Sequence, residues 1–127
     1  MRQRCWPGWR GKCSPSNDLS LAVEAEARLA RLAITNAGVV FGDGLAISPG
    51  VGPFDRLIVQ GLLAEVPENL IAALSEDGLL VAGRPDPTTM SRQHIARIAR
   101  NGAGGIDETS VCPSRLQALL PGEALAL

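Results

Sequence analysis

The chain has 127 residues, a formal net charge of −1, 46% apolar residues and only 3% aromatic ones. That length predicts a single domain with a hydrophobic core, and the near-zero charge argues against a nucleic-acid or anionic-membrane partner. The apolar runs are shorter than the roughly 20 residues of a membrane span, and no basic-then-apolar leader opens the sequence. Three cysteines are too few for a disulfide framework, so the expected compartment is the cytosol.

The first 17 residues, MRQRCWPGWRGKCSPSN, differ in composition from all that follows. They contain both tryptophans, two of the three cysteines and the only lysine, and no apolar period runs through them. Cys5 and Cys13, with the sole histidine far away at position 94, have poor spacing for a zinc site. We therefore expect residues 1–17 to be disordered or poorly packed.

We interpret residues 1–17 as the product of a shifted reading frame. A single lysine, Lys12, stands against eleven arginines, which is typical of GC-rich coding. When residues 5–17 are reverse-translated with GC-rich codons and read one base earlier, they give LLARLAGKVFAVE, a helix followed by a strand that ends in glutamate. Sequencing the gene and its upstream region decides this hypothesis.

From residue 18 onward the chain alternates helical and strand patterns. Asp18 or Ser20 can cap a helix through LSLAVEAEARLARLAITN, with Leu21, Ala25, Leu29 and Leu32 at helical spacing and Asn36 and Gly38 at its end. Short apolar runs predict strands at VVF (39–41), DRLIVQG (55–61) and LLVAG (79–83).

A second helix is predicted between the last two of these strands. Pro67 suits a first helical turn, Leu70, Ile71 and Leu74 provide an apolar face, and Asp77-Gly78 predicts a turn. Wholly apolar strands separated by helices favour an α/β fold with a parallel sheet covered on both faces. Residues 92–112 fit either an amphipathic helix or two strands joined at NGAGG.

Three ordered blocks of this sequence carry a family resemblance. They are VVFGDGL (39–45), GPFDRLIV (52–59) and AEVPENLIAALSEDGLLV (64–81), and the tail LQALLPGEAL (116–125) has a similar Leu-Pro-Gly ending. In order and spacing they resemble the carboxyl half of the protein-L-isoaspartate O-methyltransferases, which are S-adenosylmethionine-dependent repair enzymes.

The resemblance implies a Rossmann-like, doubly wound methyltransferase sheet, present here as its carboxyl-terminal portion over residues 18–127. It also implies a final antiparallel hairpin, which favours strands in 92–112. The implied reaction moves a methyl group from S-adenosylmethionine to the abnormal aspartyl carboxylates of a damaged protein or peptide. The alternative is a catalytically inactive remnant of the same fold that binds no cofactor.

The same resemblance places Gly42, Asp43, Gly44 and Leu45 on the adenine side of the cofactor. There a carboxylate accepts an amino N–H, and the glycines let the backbone approach closely. Considered without the resemblance, Asp43 is an ordinary turn residue. The family's Gly-x-Gly cofactor loop and its substrate-binding Ser/Thr segment have no counterpart in these residues, and no catalytic residue is assigned.

Three further side chains have simpler interpretations. His94 is predicted to face solvent or to lie at a strand edge, and Cys112 to be a small buried apolar group. Asp55 is expected to position a strand. No pair of carboxylates or metal-ligand cluster is spaced for acid–base work.

Overall fold

The computed structural model describes residues 11–13, 19–48, 50–89 and 91–119. These residues fall into two compact units, one within residues 1–46 and the other within 47–120. Each unit is described by itself.

The first unit contains helix α1, Leu19–Arg31, whose Ala, Leu, Glu and Arg residues are strong helix formers. Its end differs from the prediction, which carried the helix to Asn36. Ala33 adopts a left-handed φ of 52°, the Ile34 N–H donates to the Leu29 carbonyl at 3.0 Å, and the Ala33 N–H donates to the Ala30 carbonyl at 3.1 Å. This is a Schellman end, built here around an alanine where glycine is usual.

The buried side of α1 also differs from the predicted stripe. Leu21 and Leu32 are 51% and 69% exposed, whereas Ala22 is buried and Ala25 and Leu29 are half-buried. The helix contacts the neighbouring strand β2. Small residues rather than leucines therefore form much of its packed side.

The described part of the first unit also contains two short strands. β1, Gly11–Cys13, pairs in parallel with β2, Ala37–Val39. The strand predicted at 39–41 thus lies two residues earlier, and Val40 and Phe41 are exposed. Residues 1–17 were expected to be disordered or poorly packed. Of these, residues 11–13 form β1, while 1–10 and 14–17 lie outside the described residues.

The second unit is a four-stranded mixed sheet with the order β3-β4-β5-β6. Its strands are β3 (Phe54–Leu62), β4 (Leu74–Pro85), β5 (Gln93–Arg100) and β6 (Ile106–Ser114). β3 and β4 are parallel, and the other two pairs are antiparallel. The strands predicted at 55–61 and 79–83 lie within β3 and β4, and the final hairpin is confirmed over the helical alternative.

The turn of the hairpin is organised by one side chain. Asn101 Oδ1 accepts the Gly105 N–H at 2.7 Å and the Ala103 N–H at 3.2 Å. Gly104 has a φ of 83°, a conformation that favours glycine. The Ala103 and Gly105 N–H groups are thus bonded within the NGAGG segment, and these bonds stabilise the reversal of the chain between two strands.

The core of the second unit lies between helix α2 (Glu68–Ala72) and the sheet. Pro67 occupies the N-cap position of α2, and the Glu68 carboxylate lies in its first turn, where the helix dipole favours an anion. The largest fully buried side chains are Leu70, Leu74, Leu80 and Ile98.

Two local predictions in this unit are wrong. Asp77 and Gly78 were predicted to form a turn, but both lie within β4, where the pairing steps from Phe54–Leu74 to Arg56–Leu79. The irregular register accommodates the extra residues without ending the strand. Cys112 is exposed rather than buried, because it lies on β6, an outer strand of the described sheet.

Candidate functional site

The loop that follows β2 contains the predicted cofactor residues, Gly42, Asp43, Gly44 and Leu45. Asp43 Oδ1 accepts the Leu45 N–H at 2.8 Å, and the Ala46 N–H donates to the Asp43 carbonyl at 3.1 Å. All four residues are half-buried. The aspartate therefore closes a compact turn on itself, and its carboxylate is held in a fixed orientation.

Gly42 gives this loop an open side. Its φ is 152°, which L side chains rarely adopt, and among the described residues a Cβ built on it meets nothing within 4 Å. With respect to the part of the chain that the structure describes, no side chain or backbone therefore covers this position, which lies next to a half-buried aspartate. Such a surface can accept an N–H from a ligand and allow close approach to the main chain.

A second polar group lies in the other unit, at the carboxyl end of β3. Arg84 Nη1 donates to the Leu63 and Ala64 carbonyls, each at 2.7 Å. Arg84 Nε donates to Glu108 Oε2 at 3.2 Å, and His94 Nε2 lies 3.5 Å from Glu108 Oε1. We call Arg84, Glu108 and His94 the Arg84 network.

The sequence did not predict this network, since its members come from three different strands. His94 was expected to face solvent or lie at a strand edge. Its side chain is only 13% exposed, and β5 lies between β4 and β6. That expectation is wrong because the hairpin places β5 inside the sheet, and only knowledge of the strand pairing could have shown it.

Asp86, just after β4, is held by residues that follow it. The Thr88 hydroxyl donates to Asp86 Oδ1 at 2.6 Å, and the Thr88 and Thr89 N–H groups donate at 2.8 and 3.1 Å. These bonds, led by the Thr88 hydroxyl, lower the pKa of Asp86 below its ordinary value, with a small further contribution from His94.

A small cavity of about 140 Å³ lies between the loop before β3 and α2, and Asn69 donates across it to the Ile47 carbonyl at 3.4 Å. Because residues 47–51 precede β3, this cavity lies at the amino end of that strand. Ligands of open α/β sheets bind beyond the carboxyl ends of the strands, so the cavity is not a favoured ligand site.

Asp55 has the structural role that was expected of it. Its Oδ1 accepts the Ser75 hydroxyl at 2.9 Å, which ties the start of β3 to β4. Among the described residues, no group of three His, Cys, Asp or Glu side chains could hold a metal ion. In the same part of the chain, neither helix has the length and apolar content that crossing a bilayer requires.

Comparison with known families decides what kind of protein carries these features. Residues 16–117 match the family model of protein-L-isoaspartate(D-aspartate) O-methyltransferase. The chain belongs to this family. The resemblance drawn from the three sequence blocks is thereby confirmed.

The bacterial members that the chain matches are considerably longer than it is. A protein-L-isoaspartate O-methyltransferase 2 of Rhodopseudomonas palustris strain HaA2 is 39% identical over 108 residues, which are 85% of this chain and 48% of the relative. A protein-L-isoaspartate O-methyltransferase of Caulobacter sp. strain K31 is 37% identical over 83% of this chain and 47% of its own length. The chain thus spans about half the length of the curated relatives it matches.

Solved structures of the family show the same fold. A putative protein-L-isoaspartate O-methyltransferase from Plasmodium falciparum, in complex with S-adenosyl-L-homocysteine, superposes with a TM-score of 0.66 at 19% identity over 82% of this chain and 50% of that one. A second protein-L-isoaspartate O-methyltransferase gives 0.71 at 22% identity, over 85% of this chain and 33% of its own. The fold is therefore the α/β, Rossmann-like methyltransferase fold, represented by its carboxyl-terminal portion.

Proposed function

We propose that this chain binds S-adenosylmethionine through Gly42, Asp43, Gly44 and Leu45, and acts in methyl transfer to abnormal aspartyl carboxylates of damaged proteins or peptides. The observation that carries the proposal is the Asp43 turn, in which Oδ1 accepts the Leu45 N–H at 2.8 Å, in the loop that follows the parallel strand β2. Ligands of such folds bind beyond the carboxyl ends of strands, and Asp43 lies at one of these ends.

The residues of this loop fit the adenine side of the cofactor. The Asp43 carboxylate is a strong acceptor for an exocyclic amino group, because a hydrogen bond to a charged acceptor contributes roughly 1.5–3 kcal/mol. The described residues leave room over Gly42 for a flat ring beside the backbone. When bound, the cofactor supplies an activated methyl group on its sulfonium, and the loop holds and orients its adenosine part.

The names of the matched relatives, and the ligand of one solved structure, support this assignment. The matched curated proteins are named protein-L-isoaspartate O-methyltransferases, and the Plasmodium falciparum protein was solved with S-adenosyl-L-homocysteine. That compound is the cofactor after its methyl group has left. Transfer depends mainly on holding the donor and the acceptor carboxylate in line, which is a task for loops at the strand ends.

The partner that we propose is a damaged protein or peptide, with no nucleic acid and no membrane, and the proposed compartment is the cytosol. The damaged-protein partner is proposed from the matched family and its relatives. The exclusion of nucleic acid and membrane rests on the near-zero net charge, and the compartment on the sparse, odd cysteines of the sequence.

A methyl-transfer assay tests the proposal. The chain is incubated with S-adenosylmethionine labelled in its methyl group and with two peptides that differ only in an isoaspartyl or an ordinary aspartyl residue. We expect base-labile methyl ester on the isoaspartyl peptide and none on its matched control. Equal labelling of both peptides, or no labelling of either, contradicts the proposal.

A further inference from the structure

Arg84 lies at the point where two parallel strands end together. Leu62 at the end of β3 is in register with Gly83 of β4, so the residue after Gly83 is beside the loop that follows Leu62. The Leu63 N–H donates to the Gly83 carbonyl at 2.8 Å and fixes this register. The loop from Leu63 to Pro67 then leads into α2.

The Arg84 guanidinium forms hydrogen bonds to the first part of that loop. One nitrogen, Nη1, donates to two successive carbonyls, those of Leu63 and Ala64, each at 2.7 Å. Two carbonyls that face one cation cannot rotate away without losing a charge-assisted hydrogen bond. The direction of the chain as it leaves β3 is therefore set by Arg84.

Arg84 is itself held by the final hairpin. Its Nε lies 3.2 and 3.3 Å from the two carboxylate oxygens of Glu108 on β6. The side chains of Arg84 and Glu108 are only 17% and 29% exposed, so solvent screens this pair less than a surface pair. His94 Nε2 lies 3.5 Å from Oε1 of the same carboxylate.

We propose that Arg84 is a positioning residue for the loop Leu63–Pro67, and that Glu108 acts on this loop through Arg84. The final hairpin thereby controls the geometry of the sheet edge where ligands of this fold bind. The position of this loop beside the methyl acceptor rests on the function proposed above. The hydrogen bonds from Arg84 to the loop do not depend on that function.

The test compares amide hydrogen exchange, followed by NMR, in the unsubstituted chain and in Arg84→Lys. Lysine keeps the positive charge but has a single nitrogen, which cannot bond both carbonyls and Glu108 in the fork geometry of arginine. We expect the Leu63 amide to exchange roughly tenfold faster or more, as the loss of a charged hydrogen bond implies. Core amides such as those of Leu80 and Ile98 keep their rates.

Two further variants make the test specific. Glu108→Gln leaves Arg84 in place but removes the charge that orients it, so it shifts the same amide in the same direction. Arg97→Lys changes an exposed arginine on β5 and serves as the matched control, with no effect at Leu63. The carbonyl carbon signals of Leu63 and Ala64 shift in the first two variants and stay in place in the control.

The outcomes separate this inference from the proposed function. Selective acceleration at Leu63, with shifted carbonyl signals, supports the role of Arg84 whether or not the methyl-transfer assay succeeds. An unchanged Leu63 amide, or equal acceleration of every amide, overturns it even if the isoaspartyl peptide is methylated.

Discussion

Two aspartates of the chain are each oriented by hydrogen bonds from the residue two positions later. Asp43 accepts the Leu45 N–H, and Asp86 accepts the Thr88 N–H, both at 2.8 Å. Asp86 also accepts the Thr88 hydroxyl. The same kind of aspartate turn thus orients the proposed cofactor contact in one unit and stabilises the turn after β4 in the other.

The Asp86 carboxyl gives a prediction about pH. Its folded pKa lies below 3.8, so its stabilising contribution is present above the ordinary pKa and is lost as pH falls through the folded value. Thr88→Val removes the hydroxyl that lowers the pKa most, and we expect the pKa of Asp86 to rise toward its ordinary value. An NMR titration of the carboxyl carbon measures this.

Thr88→Ser is the matched variant, because it keeps a hydroxyl at the same position. We expect its Asp86 pKa to stay close to that of the unsubstituted chain. The stability deficit of Thr88→Val should also shrink as the pH falls below the folded pKa. Equal Asp86 pKa values in the valine and serine variants would show that the hydroxyl is not the main cause.

At the scale of elements, the end of α1 departs from the usual chemistry. Ala33 adopts a φ of 52° at a position where glycine avoids the steric cost of its Cβ. We therefore expect Ala33→Gly to raise the free energy of unfolding by about 1 kcal/mol. Circular dichroism during urea unfolding measures the change.

Ala30→Gly is the control for the same substitution inside the helix. Ala30 belongs to α1, where glycine costs about 1 kcal/mol relative to alanine. The two variants should therefore shift stability in opposite directions. Destabilisation by Ala33→Gly of the same size as that by Ala30→Gly would contradict the Schellman end.

The elements also show what the sequence could and could not predict. Apolar runs sufficed to locate β3 and much of β4, although exposure alternates along β3, where Ile58 is exposed between the half-buried Leu57 and Val59. The residue pattern of 92–112 was compatible with either a helix or a hairpin, and the family resemblance favoured the hairpin. The carboxyl end of α1 and the position of Gly78 inside β4 depend on backbone conformation and register, which residue patterns do not reveal.

At the scale of the whole molecule, the chain has two compact units, and the two polar groups described above lie one in each. The Gly-Asp-Gly turn was predictable because its chemistry is local. The Arg84 network was not, because Arg84, His94 and Glu108 meet only through the order of three strands. Family membership followed from ordered sequence blocks and was confirmed over residues 16–117.

The central claim is that the Asp43 turn binds the cofactor. Isothermal titration of the chain with S-adenosylmethionine tests it, with Asp43→Asn as the variant, since asparagine can still accept the Leu45 N–H but carries no charge. Asp77→Asn, at an exposed aspartate of β4, is the control. We expect a Kd below about 1 mM for the unsubstituted chain and for the control. Asp43→Asn should bind roughly tenfold more weakly. No measurable binding, or an Asp43→Asn variant that binds as well as the unsubstituted chain, would contradict the claim.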